Sequence, residues 1–508
     1  ELSTSQLVMK MTASSTAIPN FYDGSTKLHW VSDLMGLPID QVNFLAAQFT
    51  ALGLSYVFRR RLHPSYTSST VRHFFAVLLG FLLAFFCFGR QTIHLVVICS
   101  SCYAILRTIS PHISHRLCLG TSMAYLSFIH IQRVLYNYGA YTIDITGPLM
   151  IIVQKITSLA FSLNDGLGRK EEDLTPSQKR QCLKKVPTLL EYYSYLCNFQ
   201  GLLAGPLVFY ADYIQFINGD NFTKKQSLRN GSVDSNSNSQ HLSLQYEPSS
   251  AEAVIKKVSI SIVFALGVLV FAHRVSAGRL TENSFLLEQS FLQQTLYLVA
   301  ITSVARWKYY HAWILADAIS NASGLGFNGY DDHGTPKWDL ISNVVIEPCE
   351  IGLSLRDLIE NWNIGTTRWL RAIIYERAPY FKTLLTYLLS ALWHGFYPGY
   401  YLTFLGGAIF TLASRAVRRS VRPLFQGGEL SRRIYDLLTM LVTRVVLAYI
   451  TFPFVLLQFW PSLKIYSCQH FWLHFLAFAA ISGLPVVLPP SKSKSHESSQ
   501  PNLVSKPT

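Results

Sequence analysis

Charge is scarce in this chain. Asp, Glu, Lys and Arg make up 14% of its 508 residues, and half of the residues are hydrophobic. A soluble protein of this length needs more polar surface than that. The apolar runs also lack the period-two alternation of barrel strands. Lipid offers no partner to backbone N–H and C=O groups, so helices are what remains. Internal repeats are not evident, which argues against repeat-built transport folds. No cleavable leader is expected: residues 1–30 are polar and mixed, and the first apolar run, near residue 42, would act as an uncleaved anchor. No retrieval tetrapeptide closes the sequence. The eight cysteines sit mostly inside apolar segments, where they behave as small hydrophobes. Cys99 and Cys102 form a C-x-x-C, but no second Cys or His pair stands at zinc-finger spacing. Neither a metal site nor a disulfide framework is indicated.

What the chain has instead is apolar runs near bilayer-spanning length. They recur at about 42–58, 73–88, 93–106, 117–136, 145–163, 188–210, 254–273, 290–304, 383–393 with 401–414, 435–460 and 468–488. This pattern predicts an all-α, polytopic integral membrane protein with roughly ten or eleven transmembrane helices. The net charge of +14 does not point to nucleic acid, because the basic residues fall mainly in short loops between apolar runs. Arg59 to Arg61, Arg169 to Lys185, and Arg415 to Arg433 would face the cytosol under the positive-inside rule.

One membrane domain is expected over 38–488, preceded by a polar segment, 1–37, and followed by a disordered tail, 489–508. Residues 164–187 read as a structured cytosolic loop with a helix starting at Thr175-Pro176. Residues 218–250 read as a mobile polar loop, and they carry glycosylation sequons at Asn221 and Asn230. The stretch 321–382 reads as a long loop rich in glycine and aromatic residues. Its tryptophans argue for order, and its length argues for function.

Directly after it stands Leu389-Ser390-Ala391-Leu392-Trp393-His394-Gly395-Phe396-Tyr397-Pro398. An ionisable residue inside an apolar helix is a functional hypothesis by default. Pro398 has no N–H to bond the carbonyl of His394, so the helix should kink or break at the imidazole and open room for substrate. Ser390 and Tyr397, four residues before and three after, would share its helical face and line the site. His94, His130, His311, His470 and His474 also lie in or beside apolar runs, and nothing singles them out.

The setting of His394 resembles the histidine motif of the membrane-bound O-acyltransferases: Trp393-His394-Gly395 followed by Pro398-Gly399-Tyr400-Tyr401. Trp362-Asn363-Ile364, followed by Thr366 and Trp369, resembles that family's upstream asparagine motif, 31 residues before the histidine. Further resemblance covers Asn198 to Pro206 and Ala312 through Tyr330 to Asp339, and it extends over most of the chain from Pro38 to about residue 485.

Within that family the chain resembles the lysophospholipid acyltransferases that act on lysophosphatidylethanolamine, lysophosphatidylserine or lysophosphatidylcholine. The resemblance implies transfer of a fatty acyl group, an unsaturated one such as oleoyl, from acyl-CoA to the free glycerol hydroxyl of a lysophospholipid in phospholipid remodelling. It also implies residence in the endoplasmic reticulum membrane, and it leaves a homodimer open. His394 and Asn363 would be catalytic. Imidazole can take the hydroxyl proton, a contribution of roughly 10²- to 10⁴-fold. The Asn363 amide can donate to the developing oxyanion, a role in which one donor is worth on the order of 10²- to 10³-fold. Asn361, two residues earlier, competes for that role. Trp362 and Trp393 are candidates to line the substrate site. Arg356, Arg368, Arg371 and Arg377 are candidate contacts for CoA phosphates. Acyl-CoA is a co-substrate, and no bound metal or prosthetic group is expected. Acceptors such as a protein, a sterol or diacylglycerol remain alternatives, as does a transporter.

Overall fold

The computed structural model describes residues 22–139, 142–222 and 247–489. The apolar runs fold as helices. In chain order these are α1 (Ile39–Arg61), α2 (Ser69–Phe88), α3 (Ile93–Thr108), α4 (Pro111–Tyr136), α5 (Thr146–Leu167), α6 (Leu189–Cys197), α7 (Ala251–Phe271) and α8 (Phe291–Ser323). Then come α9 (Leu355–Asn361), α10 (Ile364–Leu370), α11 (Lys382–His394), α12 (Pro398–Ser420), α13 (Glu429–Leu456), α14 (Phe459–Cys468) and α15 (Trp472–Ser482). Their starts follow local chemistry. Ser68 caps α2 by accepting from the Val71 amide, and Thr188 and Ser290 open α6 and α8 with capping boxes. Thr175 does the same for the short helix Pro176–Gln181, as its Thr-Pro signal predicts.

By length and hydropathy, four helical segments among the described residues can cross a bilayer: Ser69–Thr108, Thr146–Leu167, Ala251–Phe271 and Glu429–Leu456. Ten or eleven is therefore not reached on that measure. The run 188–210 is the plainest departure, since its helix ends at Cys197 and a buried turn follows. Elsewhere the shortfall has a chemical cause. Helices α8 and α12 are long enough but carry Gln294, Arg306, Thr411 and Arg415 inward, and α11, α14 and α15 are short.

The four spans play different parts. In α5, 83% of the apolar window is buried inside the protein, whereas in α7 the figure is 6%. Helix α5 is therefore scaffold, while α7 rests on α8 and turns its other faces outward. One apolar core gathers α1 to α6 with Trp369 and Trp393; a second gathers α12 to α15 with the start of α8. Pro453 interrupts the ladder of α13 and frees the Tyr449 carbonyl, which accepts from the Tyr466 hydroxyl at 3.2 Å.

Only part of the stretch 321–382 is a loop. Residues 324–345 form no helix and wind around the buried rings of Phe327 and Trp338, whereas from Ile346 onward the chain folds into short helices that bury Trp369. Asn221 is buried, and its amide nitrogen donates to the Gly324 carbonyl at 3.2 Å, so that sequon does not present its acceptor nitrogen. The sequon at Asn230, most of the polar segment 218–250, and the tail beyond Pro489 lie outside the described residues.

Candidate active site

Helix α11 stops at His394, because Gly395 takes φ +114° and Pro398 begins α12 as its first residue. A residue with a side chain at Gly395 would be strained there. The helix breaks rather than bends. Gly399 keeps the break tight, since a Cβ on it would fall 2.0 Å from the Pro453 carbonyl of α13. The His394 ring stacks on Phe404 at 5.0 Å between centroids and meets Phe454 edge-on at 5.2 Å. Among the described residues no group hydrogen-bonds its ring nitrogens, and the ring lines a cavity of about 1550 Å³.

Asn363 lines the same cavity. It sits at φ 48°, ψ 54° ahead of α10, a left-handed conformation that Asn tolerates better than most residues. Asn343, which is buried, holds this turn at three points. Its backbone carbonyl accepts from Ile364 N at 2.8 Å, and its side-chain Oδ1 accepts from Gly365 N at 2.8 Å. Its Nδ2 then donates to Asn363 Oδ1 at 3.1 Å. The order of these bonds fixes both amides. Gly365 N–H can only donate, so Asn343 must turn its NH₂ toward Asn363, and Asn363 must answer with its oxygen. The NH₂ of Asn363 is the end left for the cavity.

A stripe along α5 locks both motifs into place. The Met150 carbonyl accepts from the Trp393 indole at 2.9 Å, Gln154 donates to Thr366 at 2.8 Å, and Thr157 accepts from the Trp369 indole at 2.8 Å. These positions are four and three residues apart and so share one helical face. The two motifs, 31 residues apart in sequence, are thereby referred to one buried helix.

The cavity is shaped by matching faces of α11 and α12. Thr383, Thr386, Tyr387, Ser390 and His394 line it from α11; Phe404, Gly407, Thr411, Arg415 and Arg418 line it from α12. Both sets follow helical spacing. From Phe404 to Arg418 the wall runs roughly 21 Å along the axis. It passes from aromatic, through hydroxyls, to arginine. Arg419 and Arg422 complete the basic end.

The remaining expected site residues divide. Ser390, Trp362 and Arg371 line the cavity. Trp362 does so within an aromatic wall, 5.0 Å from Trp313. Trp393 lies behind the site, held by α5. Tyr397 is turned away: its hydroxyl accepts from Gly139 N at 3.1 Å and its ring packs on Tyr138. The helical face assumed for it ends at Gly395. Asn361 bonds back to the Asp357 carbonyl at 2.8 Å and does not reach the cavity. Arg368 is also outside the cavity wall. Arg377 is held by both oxygens of Asp165, Arg371 is paired with Glu376 at 3.0 Å, and Arg356 is paired with Glu360 at 2.8 Å. The cations that end the cavity without an ion pair among the described residues are Arg415, Arg418, Arg419 and Arg422. All four belong to the basic run Arg415 to Arg433 that the positive-inside rule assigns to the cytosol, and the sequence leaves the same charge free to meet an anionic ligand. Asn343, Gln154 and Thr157 had no sequence signal, since only the folded chain brings them to the motifs.

The structure thus brings a histidine and an asparagine to one deep cavity that ends in arginines. The family model of the membrane-bound O-acyltransferase family matches residues 132–452, and this chain belongs to that family. It is an acyltransferase. It is 48% identical over 465 residues to lysophospholipid acyltransferase 6 of Drosophila melanogaster, which covers 91% of this chain and 64% of that protein. The chain thus spans just under two thirds of the length of that relative. Membrane-bound glycerophospholipid O-acyltransferase 2 of Gallus gallus is 43% identical over 479 residues, 94% of this chain and 91% of its own. Membrane-bound glycerophospholipid O-acyltransferase 1 of Homo sapiens is 41% identical over 482 residues, 95% of each chain.

Proposed function

We propose that this chain transfers a fatty acyl group from acyl-CoA to the free glycerol hydroxyl of a lysophospholipid, with His394 as general base and Asn363 as oxyanion donor. The observation that carries the reading is the shared cavity, which has His394 and Asn363 on its walls and unpaired arginines at one end. The names of the similar proteins, lysophospholipid acyltransferase and glycerophospholipid O-acyltransferase, support the acceptor.

Neutral imidazole takes the proton of the glycerol hydroxyl as its oxygen attacks the thioester carbonyl. Negative charge gathers on the carbonyl oxygen, toward which the Asn363 NH₂ is free to donate. The carbon–sulfur bond then breaks, the thiolate takes the proton from His394, and phospholipid and CoA leave. The thioester is already activated, so the step asks for no prosthetic group. The phosphates of CoA belong at Arg415, Arg418, Arg419 and Arg422, since guanidinium pairs well with phosphate. Along α12 roughly 16 to 21 Å then separates Arg415 and Arg418 from Phe404, on which the imidazole stacks, a length suited to an extended pantetheine arm.

An unsaturated donor such as oleoyl-CoA, the endoplasmic reticulum membrane, and additional spans through α1, α4, α8 and α12 complete the reading; whether it acts as a homodimer is left to measurement. The test is transfer from radiolabelled oleoyl-CoA in membranes expressing the chain, with each lysophospholipid offered separately beside His394→Ala. Activity that falls by roughly 10²-fold or more in the variant at equal expression supports the reading. Wild-type membranes that acylate no lysophospholipid overturn the acceptor and turn the search to protein, sterol and diacylglycerol.

A further inference from the structure

His130, on α4, stands directly behind the proposed base. Its Nε2 lies 3.1 Å from the Trp393 carbonyl, a buried contact between residues far apart in sequence. A carbonyl can only accept, so Nε2 carries the proton and donates. The acceptor is one that needs a donor. In an unbroken helix the Trp393 carbonyl would bond the amide four residues on, at Tyr397, but the chain has left the helix by then. The Gly395 amide bonds the Ala391 and Leu392 carbonyls, two residues and one residue before Trp393, and leaves this one unserved.

The imidazole also fills the space at the break. A Cβ on Gly395 would fall 2.9 Å from both Cγ and Nδ1 of His130, so the ring packs against the backbone of the residue that follows His394. The residue before His394 is held from two sides, its indole by the Met150 carbonyl and its carbonyl by His130. From these contacts we infer that His130 is a positioning residue: it pins the backbone on both sides of His394 and so aims the imidazole at the substrate hydroxyl.

The inference rests on His394 being the base. His130 does not line the cavity, so it touches no substrate and acts only through the angle at which His394 is presented. Misplacing a reacting group by about 1 Å costs on the order of 10²-fold in rate. The signature is therefore a change in kcat with KM unmoved for both substrates.

The experiment compares His394→Ala, His130→Leu, His130→Gln and His130→Asn in the full chain, purified in detergent, with kcat and both KM values measured. Leucine fills similar volume without a donor; glutamine restores an N–H at comparable reach; asparagine keeps the amide but falls short. If the leucine variant does not accumulate, the asparagine variant takes its place. The expected result is a loss in kcat of about tenfold or more for His130→Leu or His130→Asn, with His130→Gln recovering to within about threefold. Unchanged kcat without the donor, equal loss in the leucine and glutamine variants, or a loss carried by KM would each overturn the inference. Full activity in His394→Ala would instead remove the reading on which it rests, and that arm keeps the two failures apart.

Discussion

Asn343→Asp is a change of one atom type that should turn the neighbouring amide round. In the native chain Asn343 accepts from Gly365 N at 2.8 Å and donates to Asn363 Oδ1 at 3.1 Å, which leaves the Asn363 NH₂ for the cavity. The substituted carboxylate still accepts from Gly365, but when ionised it has no proton to give Asn363. Two oxygens cannot face each other there, so the Asn363 amide rotates and spends its NH₂ on the carboxylate. Its oxygen then faces the developing oxyanion. Losing that one donor should lower kcat by on the order of 10²- to 10³-fold.

The loss has a pH signature of definite sign. A protonated carboxyl donates as Asn343 does, so part of the loss returns as pH falls, whereas a histidine base makes wild-type activity decline on acidification. The assay is kcat against pH from about 6 to about 9, with Asn343→Ala alongside. The alanine variant orphans the buried Gly365 N–H and should lose about 1–3 kcal/mol of stability as well as rate. Asn343→Asp with wild-type kcat across that range would refute the orientation argued for Asn363, and with it the oxyanion role.

Three further outcomes are expected. Replacing Arg418, Arg419 and Arg422 together by alanine should raise KM for acyl-CoA by on the order of tenfold and leave KM for the lysophospholipid unmoved. An acyl thioester without phosphates should be blind to the change, and equal effects on both substrates would contradict the assignment. Gly407→Val should narrow the cavity, because a Cβ at Gly407 already falls 2.8 Å from Cε1 of Tyr387; kcat should drop, and Tyr387→Ala in the same chain should restore part of it. Trp369→Phe should lower the thermal midpoint of the detergent-solubilised protein by the equivalent of about 1–3 kcal/mol, since the Thr157 hydroxyl loses the indole N–H it receives at 2.8 Å. Adding Thr157→Val should cost less than the sum of the two single changes.

What the sequence made legible was whatever is local. The break at His394 followed from Pro398, and the helix start at Thr175 from its capping chemistry, because both depend on residues within one helical turn. The count of spans was less legible. Hydropathy treats each run alone, whereas α8 and α12 tolerate inward polar residues only because they wall a cavity that the other helices complete. Spacing misled at Tyr397 for the same reason: a three-residue offset maps to one face only while the helix continues.

The arginines mark where local reading gives out. Arg371 and Arg377, which follow the asparagine motif in sequence, looked like the phosphate contacts, yet each is held by a carboxylate. Arg418 and Arg419 looked like topology signals, and no carboxylate among the described residues holds them at the cavity's end. Both readings of the second pair can be true at once. A cation row placed by the positive-inside rule at the end of a span also lies where a helix face leads inward from the cytosol. If α12 carries Thr411 and Phe404 on that same face, the residues that orient the helix in the membrane are the ones that meet an anionic substrate entering along it. Charge reversal at Arg418 should therefore disturb both insertion and KM. The alanine variants, which remove charge without reversing it, are the ones to separate the two.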